Sequence, residues 1–166
     1  MSRILIVLGV ILVCSSCSHS YYIVRHAEKA AQEAIMTSDV PLTDKGKQRA
    51  EALKEILRDK KIGYVFSTNT IRTKSTAQPT ADKFHLTIET YGPRPDTAFI
   101  NLLKSKKKNT LVVGHSNTVD DIVNMLVGRK EVPADLPDPE YNKLFIVKKK
   151  GKKYIFSEMA IYSDVR

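Results

Sequence analysis

Short apolar segments alternate with amphipathic segments along most of this chain, and this alternation strongly restricts its fold. The apolar segments are rich in β-branched and aromatic residues, which predicts strands over 21–24, 62–67, 86–91 and 110–114. Helical periodicity predicts helices over about 44–59, 70–84 and 118–126, and through 99–103. Two longer strands, 143–149 and 152–162, surround a predicted hairpin turn at Lys150-Gly151. This order predicts an α/β fold: a three-layer sandwich whose mainly parallel sheet ends in an antiparallel C-terminal hairpin.

Two residues are unusual for the helices in which they lie. Pro79 falls inside the second predicted helix, where it predicts a kink or an early end. Gly46 lies in the first turn of the first helix, where glycine is less stabilising than alanine. A close packing contact would explain a glycine at that position.

The first 16 residues are predicted to be a signal peptide. Arg3 precedes an apolar run, Ile4 to Val13, of roughly ten residues, which is too short to span a bilayer as a helix. The cysteine and serine cluster that follows resembles the lipobox of bacterial lipoproteins, and the small residues before Cys17 favour Cys17 as the lipidated residue. A buried first strand is the alternative, but another strand begins at Tyr21 with almost no connection between. We therefore expect an exported, membrane-anchored lipoprotein.

The chain is basic, with 27 Lys and Arg against 18 Asp and Glu and a formal net charge of +9. Such a charge suits an anionic partner: a phosphate ester, a nucleic acid or an anionic membrane. Much of the excess lies in two lysine-rich runs, Lys104 to Lys108 and Lys148 to Lys153. We interpret these runs as a solvated helix end and a solvated hairpin. No aromatic residues interleave with the first run, so no nucleic-acid partner is predicted.

Residues of one chemical kind follow three of the predicted strands. Arg25 and His26 end the first strand, Arg72 begins the helix after the second, and His115 follows the fourth. The carboxyl ends of parallel strands meet at one edge of a sheet, so these four side chains are expected to lie together. Two guanidiniums and two imidazoles suit a tetrahedral oxyanion such as phosphate. Each residue has an ordinary structural alternative, an exposed arginine or a hydrogen-bonded histidine, but their coincidence favours a site.

Four segments resemble the motifs of the histidine phosphatase superfamily, also called the phosphoglycerate-mutase-like fold. They are residues 24–28, 41–50, 68–77 and 112–117. The sequence departs from the family pattern at three positions, where Arg49 replaces Ala, Asn69 replaces Pro and Ser75 replaces Gln. The resemblance identifies residues 21–166 as a histidine phosphatase domain.

The resemblance implies roles for the four residues at the predicted sheet edge. His26 would be the nucleophile that carries a phosphoryl group, while Arg25, Arg72 and His115 would bind the phosphoryl oxygens. No cofactor and no metal ion are implied. The group that protonates the leaving group is not assigned: Asp96 and Glu89 are candidates, and the site could also lack such an acid. Asp120 and Asp121 are interpreted as ordinary acids in the first turn of a helix.

Three functions are compatible with these residues. The first is a metal-independent phosphatase that hydrolyses phosphomonoesters, whose partner is a phosphorylated small molecule or a phosphoprotein. The second is a phosphohistidine phosphatase of the SixA type, and the third is a non-catalytic lipoprotein that binds anions. Mutase activity is disfavoured, because there is room for only one helix between the third and fourth strands and therefore no large cap.

Overall fold

The computed structural model describes residues 18–31, 39–138 and 140–161. The predicted signal peptide and Cys17 lie outside these residues. The described residues form six strands: β1 Ser18–Arg25, β2 Ile62–Thr68, β3 Ile88–Tyr91, β4 Asn109–Gly114, β5 Lys143–Lys150 and β6 Lys153–Ala160. They also form four helices: α1 Asp44–Leu57, α2 Ile71–Lys83, α3 Thr97–Ser105 and α4 Val119–Val127.

The strands form one sheet in the order β3-β2-β4-β1-β5-β6. The first four are parallel to one another, whereas β5 pairs antiparallel with both β1 and β6. The predicted fold class, a mainly parallel sheet with an antiparallel C-terminal hairpin, is confirmed.

Helices cover both faces of the sheet, so the predicted three layers are present. Alternate side chains of β1 enter different cores, because successive residues of a strand point to opposite faces. Tyr21 and Ile23 pack with residues of α3 and α4. Tyr22 and Val24 pack with residues of α1 and α2.

The neighbouring strands β1 and β4 are followed by helices on opposite faces of the sheet. The helix α1 follows β1 on one face, and α4 follows β4 on the other. A crevice therefore opens between the carboxyl ends of β1 and β4, which is the usual ligand position in open α/β sheets.

Most predicted boundaries agree with the structure to within a few residues, but an early end of the helix at Pro79 is excluded. The helix α2 continues through Pro79 to Lys83. Ala77 and Ala81, on either side of the proline, are fully buried against the sheet. Their packing holds the helix together where local preference alone predicts a break.

Gly46 has the close packing contact that the sequence indicates, and a second glycine ends a helix. A Cβ atom at Gly46 would collide with the backbone carbonyl of Glu28, so the start of α1 lies directly against the loop after β1. Gly128 ends α4 in the left-handed conformation, with a φ of 81°.

Among the described residues, no helix combines the length and apolar character needed to cross a bilayer.

Candidate active site

A cavity of about 860 Å³ lies at the carboxyl ends of β1 and β4. The structure brings all four predicted site residues to it: Arg25, His26, Arg72 and His115. These residues are far apart along the chain, and the order of the strands places them side by side.

His26 is held by hydrogen bonds from both its backbone and its ring. Its backbone N–H donates to the carbonyl of Gly114 at 2.9 Å, which ties the end of β1 to the end of β4. Its Nδ1 lies 2.8 Å from the carbonyl oxygen of Ala27. A carbonyl oxygen only accepts, so Nδ1 carries the hydrogen and Nε2 keeps its lone pair. Only 4% of His26 is exposed, and burial, reinforced by Arg25 and Arg72, lowers its pKa to about 3. The ring is therefore neutral at pH 7.

His115 stands edge-on to His26, with their ring centroids 5.5 Å apart. Its Nε2 lies 2.8 Å from the Thr68 hydroxyl, and its Nδ1 lies 3.4 Å from Nη2 of Arg72. A guanidinium only donates, so Nδ1 of His115 is the acceptor and Nε2 carries the hydrogen. Burial lowers the pKa of His115 to about 4, with further lowering by the two arginines. Both imidazoles are thus neutral and held in defined tautomers.

Arg72 is oriented by an aspartate that the sequence analysis missed. Nη1 of Arg72 lies 3.5 Å from Oδ1 of Asp39, and the same oxygen accepts the backbone N–H of Ile71 at 2.8 Å. Asp39 therefore fixes the first turn of α2 and one side of the guanidinium. No sequence pattern pointed to Asp39, because it lies in a loop whose approach to α2 depends on the tertiary fold.

Arg25 is surrounded by the loop that precedes β5. Its Nη1 donates to the carbonyl oxygens of Pro137 and Glu140, each at 3.3 Å, and its Nη2 pairs with the carboxylate of Asp138. The guanidinium carbon lies 4.3 Å from the centroid of the Tyr141 ring. Asp138 also lines the cavity, and its pKa is lowered by Arg25. The sequence identified this segment only as a loop rich in proline and aspartate.

The loop after His26 is held in place by an ion pair and hydrogen bonds on two sides. Glu28 forms an ion pair with the buried Arg49 at 2.6 Å, and its carbonyl accepts the backbone N–H of Thr43 at 2.9 Å. On the other side, the Thr76 hydroxyl accepts the backbone N–H of Ala27 at 3.0 Å and donates to the carbonyl of Arg72 at 2.8 Å. Arg49, a departure from the family pattern, therefore supports the residues that follow His26.

The candidate proton donors occupy different places. Asp96 lines the cavity, but its carboxylate also caps α3 by accepting the N–H of Phe99 at 2.8 Å. Glu89 lies on β3, away from the cavity, with Oε1 3.7 Å from Nζ of Lys106. Asp120 and Asp121 lie in the first turn of α4, as predicted.

Residues 21–92 match the model of the histidine phosphatase superfamily, branch 1. SixA from Agrobacterium tumefaciens, described as a phosphohistidine phosphatase, has a TM-score of 0.66 and 18% identity, and the alignment covers 85% of this chain and 97% of SixA. A mycobacterial glucosyl-3-phosphoglycerate phosphatase has a TM-score of 0.63 and 9% identity, and the alignment covers 86% of this chain and 97% of that protein. Phosphoglycerate mutase from Bacillus anthracis has a TM-score of 0.62 and 15% identity, and the alignment covers 87% of this chain and 93% of the mutase. No curated protein matches the chain.

The sequence match includes Arg25, His26 and Arg72 and ends before His115, whereas the structural alignments cover 85–87% of the chain. At these identities the solved structures show the fold alone, and that fold is the phosphoglycerate-mutase-like one that the motifs implied. The matched motifs, the cavity they line and the common fold agree: over residues 21–92 the chain is similar to the histidine phosphatase superfamily, and its fold is the phosphoglycerate-mutase-like one.

Proposed function

We propose that this protein is a phosphatase that hydrolyses phosphomonoesters through a phosphohistidine intermediate on His26, without a metal ion. The state of His26 carries the proposal. It is a buried neutral imidazole whose Nδ1 donates to the Ala27 carbonyl, so that the lone pair of Nε2 is free for attack on phosphorus. The match to the superfamily and the structural likeness to phosphatases support this function.

In the first step, Nε2 of His26 attacks the phosphorus atom. An N–P bond forms, the P–O bond of the ester breaks, and the alcohol leaves with a proton. Charge spreads over the non-bridging oxygens, where Arg25 and Arg72 are the nearest fixed cations of the cavity. One well-placed donor of this kind contributes about 3 kcal/mol to transition-state stabilisation. The arginines supply the positive charge that a metal ion supplies in other phosphoryl-transfer sites.

In the second step, water attacks the phosphorus of the phosphohistidine. The N–P bond breaks and His26 recovers its neutral form, while the water molecule leaves one proton on the inorganic phosphate and gives the other back to the group that protonated the alcohol, Asp96 or solvent. The cavity is open to water, and α3 is the only described helix between β3 and β4. This open site supports hydrolysis over mutase transfer, which requires the intermediate to be protected from water.

A phosphohistidine phosphatase is the second candidate, and the position of the acids favours it. The carboxylate of Asp96 already accepts the hydrogen bond that caps α3, and Glu89 lies away from the cavity. The ring of a phosphohistidine can take up a proton from water near neutrality, where free imidazole has a pKa of about 6.5, and it then leaves as neutral imidazole, so it depends less on a dedicated acid than an alkoxide does. The proton donor for ester substrates stays open between Asp96 and solvent.

The test is turnover of p-nitrophenyl phosphate in the presence of a metal chelator, by wild type and by His26→Ala. We expect wild-type activity and a loss on the order of a thousandfold or more in the variant, because the nucleophile is absent. Acid-quenched wild-type enzyme should carry phosphate on His26, located by mass spectrometry. His85→Asn is the control, since His85 is exposed and lies far from the cavity.

Each outcome separates the three candidate functions. A higher kcat/KM for a phosphohistidine peptide than for p-nitrophenyl phosphate and sugar phosphates would favour the second candidate. No turnover of any of these substrates, together with binding of inorganic phosphate, would favour the non-catalytic anion-binding lipoprotein. Metal-dependent activity that survives His26→Ala would exclude the covalent mechanism.

We also propose that the protein is exported and anchored by lipid on Cys17. The support is the sequence of residues 1–17, which lie outside the described structure. We expect Cys17→Ser to move the protein from the membrane fraction to the soluble fraction, or to block processing. Unchanged fractionation together with an intact Met1 would refute this localisation.

A further inference from the structure

The edge of the sheet opposite the cavity is rich in exposed lysines. This edge consists of the amino ends of the parallel strands and the tip of the β5–β6 hairpin. Segments that are separate in sequence bring seven exposed lysines to it. We call this surface the basic edge: Lys60, Lys61, Lys107, Lys108, Lys150, Lys152 and Lys153.

Strand pairing and hydrogen bonds hold these segments next to one another. Ser18, the first residue of β1, pairs with Lys150 in the sheet. The side chain of Asn109, which follows Lys108, accepts the backbone N–H of Ser20 at 2.7 Å and donates to the carbonyl of Lys60. The lysines before β2, before β4 and at the hairpin tip are therefore parts of one fixed surface centred on the start of β1.

Nearby carboxylates do not neutralise this surface. Asp59 pairs with Arg58 at 3.3 Å, and Glu89 pairs with Lys106 at 3.7 Å, so both already face another cation. Within the described part of the chain, none of the seven lysines forms an ion pair with a carboxylate. The positive charge also acts on the buried His19. Burial lowers the pKa of His19, and Lys149 and Lys107, which belong to the two different lysine-rich runs, lower it further.

The basic edge contains a hollow of about 490 Å³ beside Ser18. Lys61, Lys107 and Lys108 line it, together with the apolar side chains of Phe84 and Leu86. A cationic rim over an apolar floor suits the head group and upper acyl region of an anionic lipid.

We propose that the basic edge docks on an anionic lipid bilayer. Clustered lysines near a membrane surface are attracted to anionic head groups, and such a patch adds to the membrane affinity that a lipid anchor supplies. The residue before Ser18 is Cys17, the predicted lipidation site, so an anchor there would leave the domain from the middle of the basic edge. The cavity would then face away from the bilayer, toward soluble substrates.

Nucleic acid is the other polyanion that could meet such a surface, and the aromatic side chains argue against it. Binding of single strands generally uses exposed aromatic rings as stacking platforms. Near the basic edge, Tyr64 lies under Lys106 at 4.4 Å, and Tyr154 lies under Lys104 at 5.5 Å and Lys149 at 5.9 Å. These rings are covered by the protein's own cations.

The test is co-sedimentation of the full-length protein with vesicles of phosphatidylcholine, with and without phosphatidylglycerol, at low and high salt. The apolar N-terminal residues contribute equally to binding of both vesicle types. The difference in binding between the two types therefore measures the electrostatic contribution. The triple variant Lys61→Gln, Lys108→Gln and Lys150→Gln should lose about fivefold in affinity for phosphatidylglycerol vesicles per lysine, or about 100-fold in total. The matched control, Lys45→Gln, Lys47→Gln and Lys74→Gln, removes the same charge from the α1 and α2 starts, and it should bind nearly as wild type does.

Both triple variants should keep the wild-type circular dichroism spectrum, which shows that they are folded whether or not the protein is a phosphatase. Binding that ignores phosphatidylglycerol and salt would overturn the proposal. Equal losses in the two triple variants would overturn it as well, because net charge rather than the basic edge would then be responsible. Tighter binding to single-stranded RNA than to phosphatidylglycerol vesicles at the same salt would replace the membrane with nucleic acid as the partner.

Discussion

At the residue scale, two arginines of the cavity, Arg25 and Arg72, are each paired with a carboxylate from a distant part of the chain. Arg72 faces Asp39, and Arg25 faces Asp138. The two members of the second pair differ in exposure, since 73% of the Asp138 side chain is exposed against 3% for Arg25. The carboxylate can therefore turn into water, whereas the guanidinium stays in place. A phosphoryl group that binds Arg25 would compete with Asp138 for the same donor.

The competition predicts that Asp138→Asn strengthens phosphate binding. Removing the competing charge should lower KM for p-nitrophenyl phosphate by about fivefold, the value of a partly exposed ion pair, with little change in kcat. Asp135→Asn changes an exposed aspartate of the same loop and is the control. A raised KM in Asp138→Asn would instead show that Asp138 orients Arg25 for the substrate.

The two neutral imidazoles predict an unusual pH dependence. An ordinary histidine has a pKa of about 6.5 and would be protonated, and so unable to attack, at pH 5. Because the pKa of His26 is about 3 and that of His115 about 4, kcat/KM should hold between about pH 7 and pH 5, once corrected for ionisation of the substrate. An acid limb near pH 6.5 in the corrected profile would contradict the neutral, buried state of His26.

At the element scale, the site is a junction of β1, β4 and the start of α2. Hydrogen bonds cross each boundary, with His26 bonded to Gly114 of β4 and Ala27 bonded to Thr76 of α2. Because Ala27 also accepts the hydrogen bond from the His26 ring, the Thr76 hydroxyl acts on the nucleophile through the backbone. We therefore regard Thr76 as a positioning residue.

Thr76→Val tests this link because it keeps the shape of the side chain and removes the hydroxyl. The buried N–H of Ala27 would lose its acceptor, which should lower the free energy of unfolding by about 1–3 kcal/mol in urea denaturation. kcat should fall more than KM rises, since the tautomer and orientation of His26 are less well fixed. Thr76→Ser retains the hydroxyl and should recover most of both losses. An unchanged kcat in Thr76→Val would reduce Thr76 to a purely structural residue.

At the scale of the whole molecule, the sheet places two different surfaces on opposite edges. The carboxyl ends of the strands hold the cavity, and the amino ends hold the basic edge.

The neutral histidines also make the stability of the folded protein depend on pH. Their pKa values are depressed on folding, so below about pH 6.5 the unfolded chain takes up protons that the folded protein does not, and stability falls as pH falls.

The free energy of unfolding should therefore be lower at about pH 5 than at about pH 7, by about 2 kcal/mol for each of the two histidines. His26→Asn removes one of the titrating groups and should reduce this difference, as measured by urea denaturation at the two pH values. His85→Asn is the control, because His85 is exposed and does not line the cavity, and asparagine tolerates its φ of 54°. The same pH dependence in wild type and in His26→Asn would contradict the contribution of His26.

The sequence by itself determined the elements and the four residues at the cavity. Strand and helix periodicities are local, and the rule that parallel strands present ligands at their carboxyl ends needs no coordinates to place Arg25, His26 and His115 at one edge. Local preference failed at Pro79, where burial of Ala77 and Ala81 keeps α2 continuous.

Only the tertiary structure decided which groups meet these residues. β1 lies between β4 and β5 in the sheet, so its carboxyl end meets the loop of Asp138, and its amino end meets both lysine-rich runs. Strand order depends on how two apolar cores pack over the whole domain, and no segment of the sequence encodes it alone. The ion pairs at the cavity and the basic edge are therefore long-range consequences of packing, whereas the four predicted cavity residues could be identified from short motifs.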